Sequence, residues 1–200
     1  MVIKINTDLI KKLRGQTGAG IMLCKLVLTE NNGDFEKSLI ALQLKGEATA
    51  DKKSSRSVKE GIIDAYIHTG QRLGILLEIN CETDFVARQV EFRLLAKDIA
   101  MQIASSDNIE FICLTDVPDR IRKNEWELEK NNSELLNKPE LIRNNIIEGR
   151  VNKNLKSKVL LEQNYIKNPK ITIKSLLDQN ITLFGENIKI AKFVRFKLGE

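Results

Sequence analysis

Ile63-Asp64-Ala65-Tyr66-Ile67-His68-Thr69-Gly70-Gln71-Arg72-Leu73-Gly74-Ile75-Leu76-Leu77-Glu78-Ile79 is the stretch at which the hydrophobic period changes from helical to alternating. Ile63, Ala65 and Ile67 alternate with Asp64, Tyr66 and His68; after Thr69-Gly70-Gln71, Leu73, Ile75, Leu77 and Ile79 alternate with Arg72, Gly74, Leu76 and Glu78. Successive strand side chains point to opposite faces, so two such runs joined by a short Gly-containing turn predict a β-hairpin. A third strand is predicted at the C-terminal end, with Ile188, Ile190, Val194, Phe196 and Leu198 on one face across Lys189, Ala191, Phe193, Arg195 and Lys197. Strands early and late with helices between them predict an α+β domain built on a three-stranded antiparallel sheet.

Upstream of the hairpin the period is helical. A first helix begins after Asn6-Thr7, carries Leu9, Ile10 and Leu13 on one face and stops at Gly15. A second starts beyond Gly18-Ala19-Gly20, spaces Leu23, Leu26 and Val27 at three and four, and ends at Asn31-Asn32-Gly33. Asp34 caps a third, in which Phe35, Leu39 and Leu42 recur before Gly46. Residues 1–46 therefore form a three-helix unit near the lower size limit for independent folding. The polar run 47–59 reads as a helix tail and linker, leaving 60–200 as the sheet-bearing core. Within the core, helices are expected from about Val86 to Ser105, Pro118 to Asn131, Pro139 to Leu161 and Ile173 to Gln179.

Composition narrows the functional classes. With 42% hydrophobic and 30% charged residues over 200 positions, the chain buries a real core, which excludes disordered and collagen-like classes. A net charge of +5 permits acidic partners, but the densest basic run, Lys52-Lys53-Ser54-Ser55-Arg56, is short and reads as solvated linker, not as a nucleic-acid patch. Cys24, Cys81 and Cys113 are isolated, and with His68 as the one histidine no zinc site is expected. Lone thiols also point to a reducing compartment. Met1-Val2-Ile3-Lys4-Ile5-Asn6 has no continuous apolar segment or cleavage site, and no run is long enough for a bilayer, so no membrane partner is expected. Abundant Asn, Ile and Lys fit an AT-rich organellar or bacterial gene.

Three constellations could carry chemistry. Gly15-Gln16-Thr17-Gly18-Ala19-Gly20 lacks the Lys-Ser or Lys-Thr of a phosphate loop and follows a helix, so it reads as a helix–helix turn. Catalysis by a triad would rest on His68 alone, at a strand end with no partner residues at suitable spacing, so no catalytic residue, metal or cofactor is expected. Asn80-Cys81-Glu82-Thr83-Asp84-Phe85-Val86-Ala87-Arg88 joins the second strand to the long helix. Thr83 and Asp84 are natural N-cap residues, and Phe85 has two readings: a staple tucked against the sheet, or an apolar wedge presented to a partner.

Taken in order, Leu13-Arg14 with Thr17-Gly18-Ala19-Gly20, Met22, Cys24 and Lys25, then Asn32-Gly33-Asp34, then Cys81 through Arg88 resemble the signatures of the elongation factor Ts family. Ile147-Glu148-Gly149-Arg150, Leu160-Leu161-Glu162-Gln163 and Phe193-Val194-Arg195-Phe196 are similar to its later blocks, so the resemblance covers essentially the whole chain. It implies a ubiquitin-associated-like three-helix domain, then the core with its three-stranded sheet. It also implies the activity: nucleotide exchange on elongation factor Tu (EF-Tu), without catalysis.

The resemblance also distributes roles. Thr83, Asp84, Phe85 and Val86 would enter the partner's nucleotide domain and dislodge its Mg2+; Arg14, Gly20, Ile21 and Met22 would grip a helix of the same domain; Arg72, Leu73 and Gly74 would make a third contact. Leu23, Leu26 and Val27 stand where the family usually has Asp, Lys and Ala, which makes that face of the second helix more apolar. Asn164 stands where a Pro is common. The length is that of the short form with a single core, for which a homodimer is expected. The compartment would be plastid stroma for an organelle gene and otherwise bacterial cytoplasm. The rivals are an RNA- or ribosome-binding protein, whose binding would fall steeply with salt, and an enzyme using His68.

Overall fold

The computed structural model describes residues 6–132 and 139–200; Met1 to Ile5, part of the run read for a leader, lie outside the described residues. The chain divides into two compact units, Met1–Ala100 with Lys174–Glu200, and Met101–Ile173.

The first unit begins with α1 (Thr7–Thr17), α2 (Ile21–Glu30) and α3 (Phe35–Lys53). Asn6 caps α1 by accepting from the Asp8 N–H, and Asp34 caps α3 by accepting from Lys37. α1 runs through Gly15 and ends at Gly18, where φ of +67° gives the left-handed turn that glycine adopts without strain. Ile10, Leu13, Ala19, Cys24, Val27, Leu28 and Leu42 form the buried core of these helices, with Leu9, Leu23, Phe35 and Leu39 packed against it. Leu26 is not in that core and Leu28 is. α2 is apolar on several sides, so its spacing alone does not select the buried stripe. α3 continues past Gly46 to Lys53, because Ala48 and Ala50 sustain a helix that one glycine weakens by only about 1 kcal/mol.

β1 (Glu60–Ile67) and β2 (Leu73–Cys81) form the expected hairpin, and β5 (Lys189–Lys197) pairs antiparallel with β2, giving the order β1-β2-β5. Ile75, Leu77 and Ile79 are almost fully buried. The register slips between Glu78 and Ile79, where Ile79 pairs with Ile190 and Glu78 with Lys192. This bulge at Ala191 flips the rest of β5, because the side-chain period is two. The expected shared face of Ile188 through Leu198 is therefore broken: Ile188 and Ile190 are buried, whereas Val194, Phe196 and Leu198 are exposed. Their face of the sheet also carries Ile63, Ile67 and Leu76, all exposed.

Gly61 has φ of +150°, and a Cβ there would lie 2.2 Å from the Ile79 carbonyl oxygen and 2.7 Å from Asn80 Cα. These are backbone atoms of the paired strand β2, which cannot yield cheaply. Gly61→Ala is expected to destabilise the protein by about 2–4 kcal/mol, read as a lower urea midpoint.

After β2 come α4 (Asp84–Ala87) and α5 (Val90–Ala104), in place of the single helix expected from Val86 to Ser105. Phe92 is fully buried and meets Phe184 edge to face, 6.0 Å between centroids. α8 (Ile173–Phe184) is five residues longer than its expected end at Gln179, because Ile173, Leu177 and Ile181 continue the buried stripe to the stop at Gly185. On α8, Asp178 is 7% exposed and its Oδ2 has no hydrogen-bond partner. Burial pushes its pKa from 3.8 up to about 6; Lys174 opposes the shift, while Glu47 and Asp51 of α3 add to it. The folded state thus holds this proton more tightly than the unfolded chain does. The destabilisation is absent below pH 3.8, grows as pH rises to about 6 and is complete above it. Asp178→Asn is expected to stabilise the protein by about 1–3 kcal/mol near pH 8 and to lose that advantage below about pH 4, measured by urea melts at both pH values.

The second unit is built on α6 (Asp119–Lys130) and α7 (Glu140–Ser157), which pack together. Ile147, Val151 and Leu155 recur every four residues and are buried with Val117 and Val159, with Trp126 and Ile121 against them. Lys158 pairs with Glu125 at 2.9 Å and Arg150 with Glu129 at 3.4 Å. A short hairpin, β3 (Asn164–Tyr165) and β4 (Asn168–Thr172), has no counterpart in the sequence reading.

Candidate partner-binding site

The segment leaving β2 is short and tightly held. Cys81 is fully buried and its Sγ lies 3.1 Å from the Thr83 carbonyl; burial, reinforced by Glu186, pushes its thiol pKa up to about 11, which keeps it an inert hydrogen-bonding group. Thr83 occupies the N-cap position of α4 with extended backbone, but its side chain makes no capping bond. Its hydroxyl instead donates to Glu186 Oε1 at 2.6 Å. The backbone N–H groups of Glu82 and Thr83 donate to Glu186 Oε2 at 3.1 and 3.0 Å.

α4 packs against β1 and β2 through Val86 and Ala87, both buried. Phe85 lies on the opposite side and is 79% exposed, so it is not a staple on its own sheet. Leaving such a ring in water forgoes roughly 1.5–3 kcal/mol of burial. Beside it the Asp84 carboxylate pairs with Arg88 at 2.9 Å, one turn on, with both groups largely solvated. The site thus presents one rigidly based aromatic ring flanked by a carboxylate.

A second surface lies at the α1–α2 turn. Thr17 Oγ1 donates to the Leu13 carbonyl at 2.7 Å and accepts from Ala19 N–H at 3.3 Å, and Cys24 Sγ reaches the Ala19 carbonyl at 3.6 Å. Buried Ala19 anchors the turn, leaving Ile21 54% and Met22 76% exposed. Arg14, Gly20, Ile21 and Met22 line one shallow groove together with Leu183.

Leu73 and Gly74 begin β2 and Arg72 immediately precedes it; here His68 N–H donates to the Leu73 carbonyl and Leu198 N–H to the Arg72 carbonyl. They stand at the opposite end of β2 from Thr83–Val86, a separation of about 26 Å at the usual rise per strand residue. They line a depression with Ile67, Leu76 and Phe196. His68 is exposed beside them, its Nδ1 3.0 Å from the Tyr66 hydroxyl. Glu186 and Asn187 escape sequence reasoning altogether, since their partners lie more than 100 positions away and no local spacing signals them. Among the described residues, no group of acidic, His or Cys side chains could hold a metal ion, and no helix is long and apolar enough to cross a membrane.

Comparison with known proteins gives a consistent match. The family model described as elongation factor TS matches residues 27–200. A chloroplastic elongation factor Ts of Phaeodactylum tricornutum is 54% identical over 200 residues, covering 100% of this chain and 99% of the relative. The chloroplastic protein of the same name from Pyropia yezoensis is 52% identical over 199 residues, covering 100% of this chain and 90% of its own length. Elongation factor Ts of Synechococcus elongatus is 49% identical over 197 residues, covering 98% and 89%.

Proposed function

This chain belongs to the elongation factor Ts family, and from that premise we propose that it is a guanine nucleotide exchange factor: it binds EF-Tu carrying GDP, disturbs the Mg2+ and phosphate site, and promotes GDP release so that GTP can bind. The observation that carries this reading is Phe85, 79% exposed on a helix whose other face is buried. An exposed aromatic on a rigid base is the form of an interface anchor. Thr83, Asp84, Phe85 and Val86 are the segment that enters the partner's nucleotide domain. The ubiquitin-associated-like helices α1–α3 grip a helix of that domain through Arg14, Gly20, Ile21 and Met22, and Arg72, Leu73 and Gly74 make a third contact.

Exchange is a coupling free energy, so the factor accelerates GDP loss only by binding the nucleotide-free partner more tightly than the GDP form. Burying one Phe contributes roughly 1.5–3 kcal/mol, against about 12 kcal/mol for a nanomolar GDP site. The ring therefore acts by breaking Mg2+ and phosphate contacts, while the N-terminal and hairpin contacts supply compensating affinity. The chain acts by binding, not by catalysis, and needs no cofactor.

The exposed apolar face formed by Ile63, Ile67, Leu76, Val194, Phe196 and Leu198 supports a homodimer in which a second core packs sheet to sheet. The chloroplastic and cyanobacterial relatives favour the plastid stroma or a bacterial cytoplasm. The test is stopped-flow release of a fluorescent GDP from EF-Tu: a rate that rises with the concentration of this chain and saturates supports the reading, and an unchanged rate refutes it.

A further inference from the structure

We propose that Glu186 is the positioning residue that holds α4 in the attitude from which Phe85 projects, an inference that rests on the exchange reading above. α4 has four residues, too few to stabilise itself as a helix, so its direction is set by what grips its ends. Val86 and Ala87 anchor one side but leave the entry from β2 undetermined. There the Glu186 carboxylate takes the Glu82 N–H at 3.1 Å, the Thr83 N–H at 3.0 Å and the Thr83 hydroxyl at 2.6 Å. Hydrogen bonds to a carboxylate are roughly twice as strong as neutral ones, and three converging on two consecutive residues remove the freedom of that turn.

The neighbouring residues extend the clasp. Asn187, 2% exposed, donates its side-chain amide to the carbonyls of Ser54 at 3.3 Å and Arg56 at 2.9 Å. Its backbone N–H donates to Glu82 Oε1 at 2.6 Å, and that same carboxylate pairs with Arg56 at 3.5 Å. Lys53 Nζ donates to the Gly185 carbonyl at 2.6 Å. The run 185–187 thus ties the end of α3 and the entry to α4 to one point. Glu186 acts through Phe85: it sets where the ring stands when the partner arrives.

The experiment compares Glu186→Ala, Glu186→Gln, Phe85→Ala and the Phe85→Ala/Glu186→Ala double variant in fluorescent-GDP release from EF-Tu. Glu186→Ala is expected to lower the maximal stimulated rate by about tenfold while changing the half-saturating concentration by less than about threefold. Gln keeps an acceptor for the two N–H groups and can donate to the Thr83 hydroxyl, so Glu186→Gln is expected to recover to within about threefold of the parent. The double variant is expected to match Phe85→Ala alone, since residues acting as one unit are not additive. Thr83→Val, which removes only the hydroxyl, reads the same clasp if Glu186→Ala does not fold, and its rate is expected about threefold below the parent.

A parental rate for Glu186→Ala, or for Thr83→Val in its place, would overturn the proposal, as would a Gln variant as slow as the Ala one or a double variant clearly slower than Phe85→Ala. If those results came with Phe85→Ala impaired, only the clasp would fail. An unimpaired Phe85→Ala would remove the wedge itself, and the clasp with it.

Discussion

Phe85→Ala is expected to lower stimulated GDP release by about ten- to a hundred-fold, the factor corresponding to the roughly 1.5–3 kcal/mol that burial of one Phe contributes. The same change is expected to leave folding stability within about 0.5 kcal/mol of the parent, because a ring that is 79% exposed contributes almost nothing to its own core. Binding to EF-Tu should remain measurable, since Arg14, Ile21 and Met22 lie on a separate surface. The combination distinguishes a wedge from a core residue. A staple would show the reverse, with a lower unfolding midpoint and unaltered exchange. Stopped-flow release and urea unfolding on the same sample check both halves.

Leu76→Glu with Phe196→Glu is expected to convert a dimer to a monomer. Leu76 is 44% and Phe196 66% exposed on the outward face of the sheet, while the neighbouring Ile75 and Leu77 point into the core at 2% and 0%. The substitutions therefore spare the fold and place like charges where two apolar faces would meet in a low-dielectric interface. Sedimentation at micromolar concentration should give a dimer for the parent and a monomer for the double variant, with unaltered circular dichroism. A parent that sediments as a strict monomer would remove the dimer, leaving the apolar face for another occupant.

The elements legible in the sequence were those specified locally. The hairpin follows from two alternating runs around Thr69-Gly70-Gln71, and the starts of the three N-terminal helices from Asn6, the Gly18-Ala19-Gly20 turn and Asp34, each acting within a few residues of itself, whereas the stops expected at Gly15 and Gly46 are overrun. What escaped reading depends on distant partners. The bulge at Ala191 is a property of pairing with β2, and it reverses the faces of Val194 and Phe193 although their alternation is regular. Leu26 and Leu28 are equally apolar, and only the packing of α1 and α3 decides which of them is buried. Phe85 admits two readings from sequence for the same reason: its first-turn position is compatible with either direction. Glu186 and Asn187 carried no signal, because their roles arise only when the C-terminal segment returns to the end of β2. The motif around Thr83–Val86 could be found without the fold, but not the groups that hold it.

The proposed exchange activity is a difference in affinity: this chain would lower EF-Tu's hold on GDP only to the extent that it prefers the empty form. The direct measurement is its dissociation constant for EF-Tu prepared without nucleotide and for EF-Tu saturated with Mg2+ and GDP, by titration calorimetry under one buffer. Binding to the empty form is expected to be at least about a hundredfold tighter, and by linkage GDP is weakened by the same factor. Equal affinities for the two forms would contradict it.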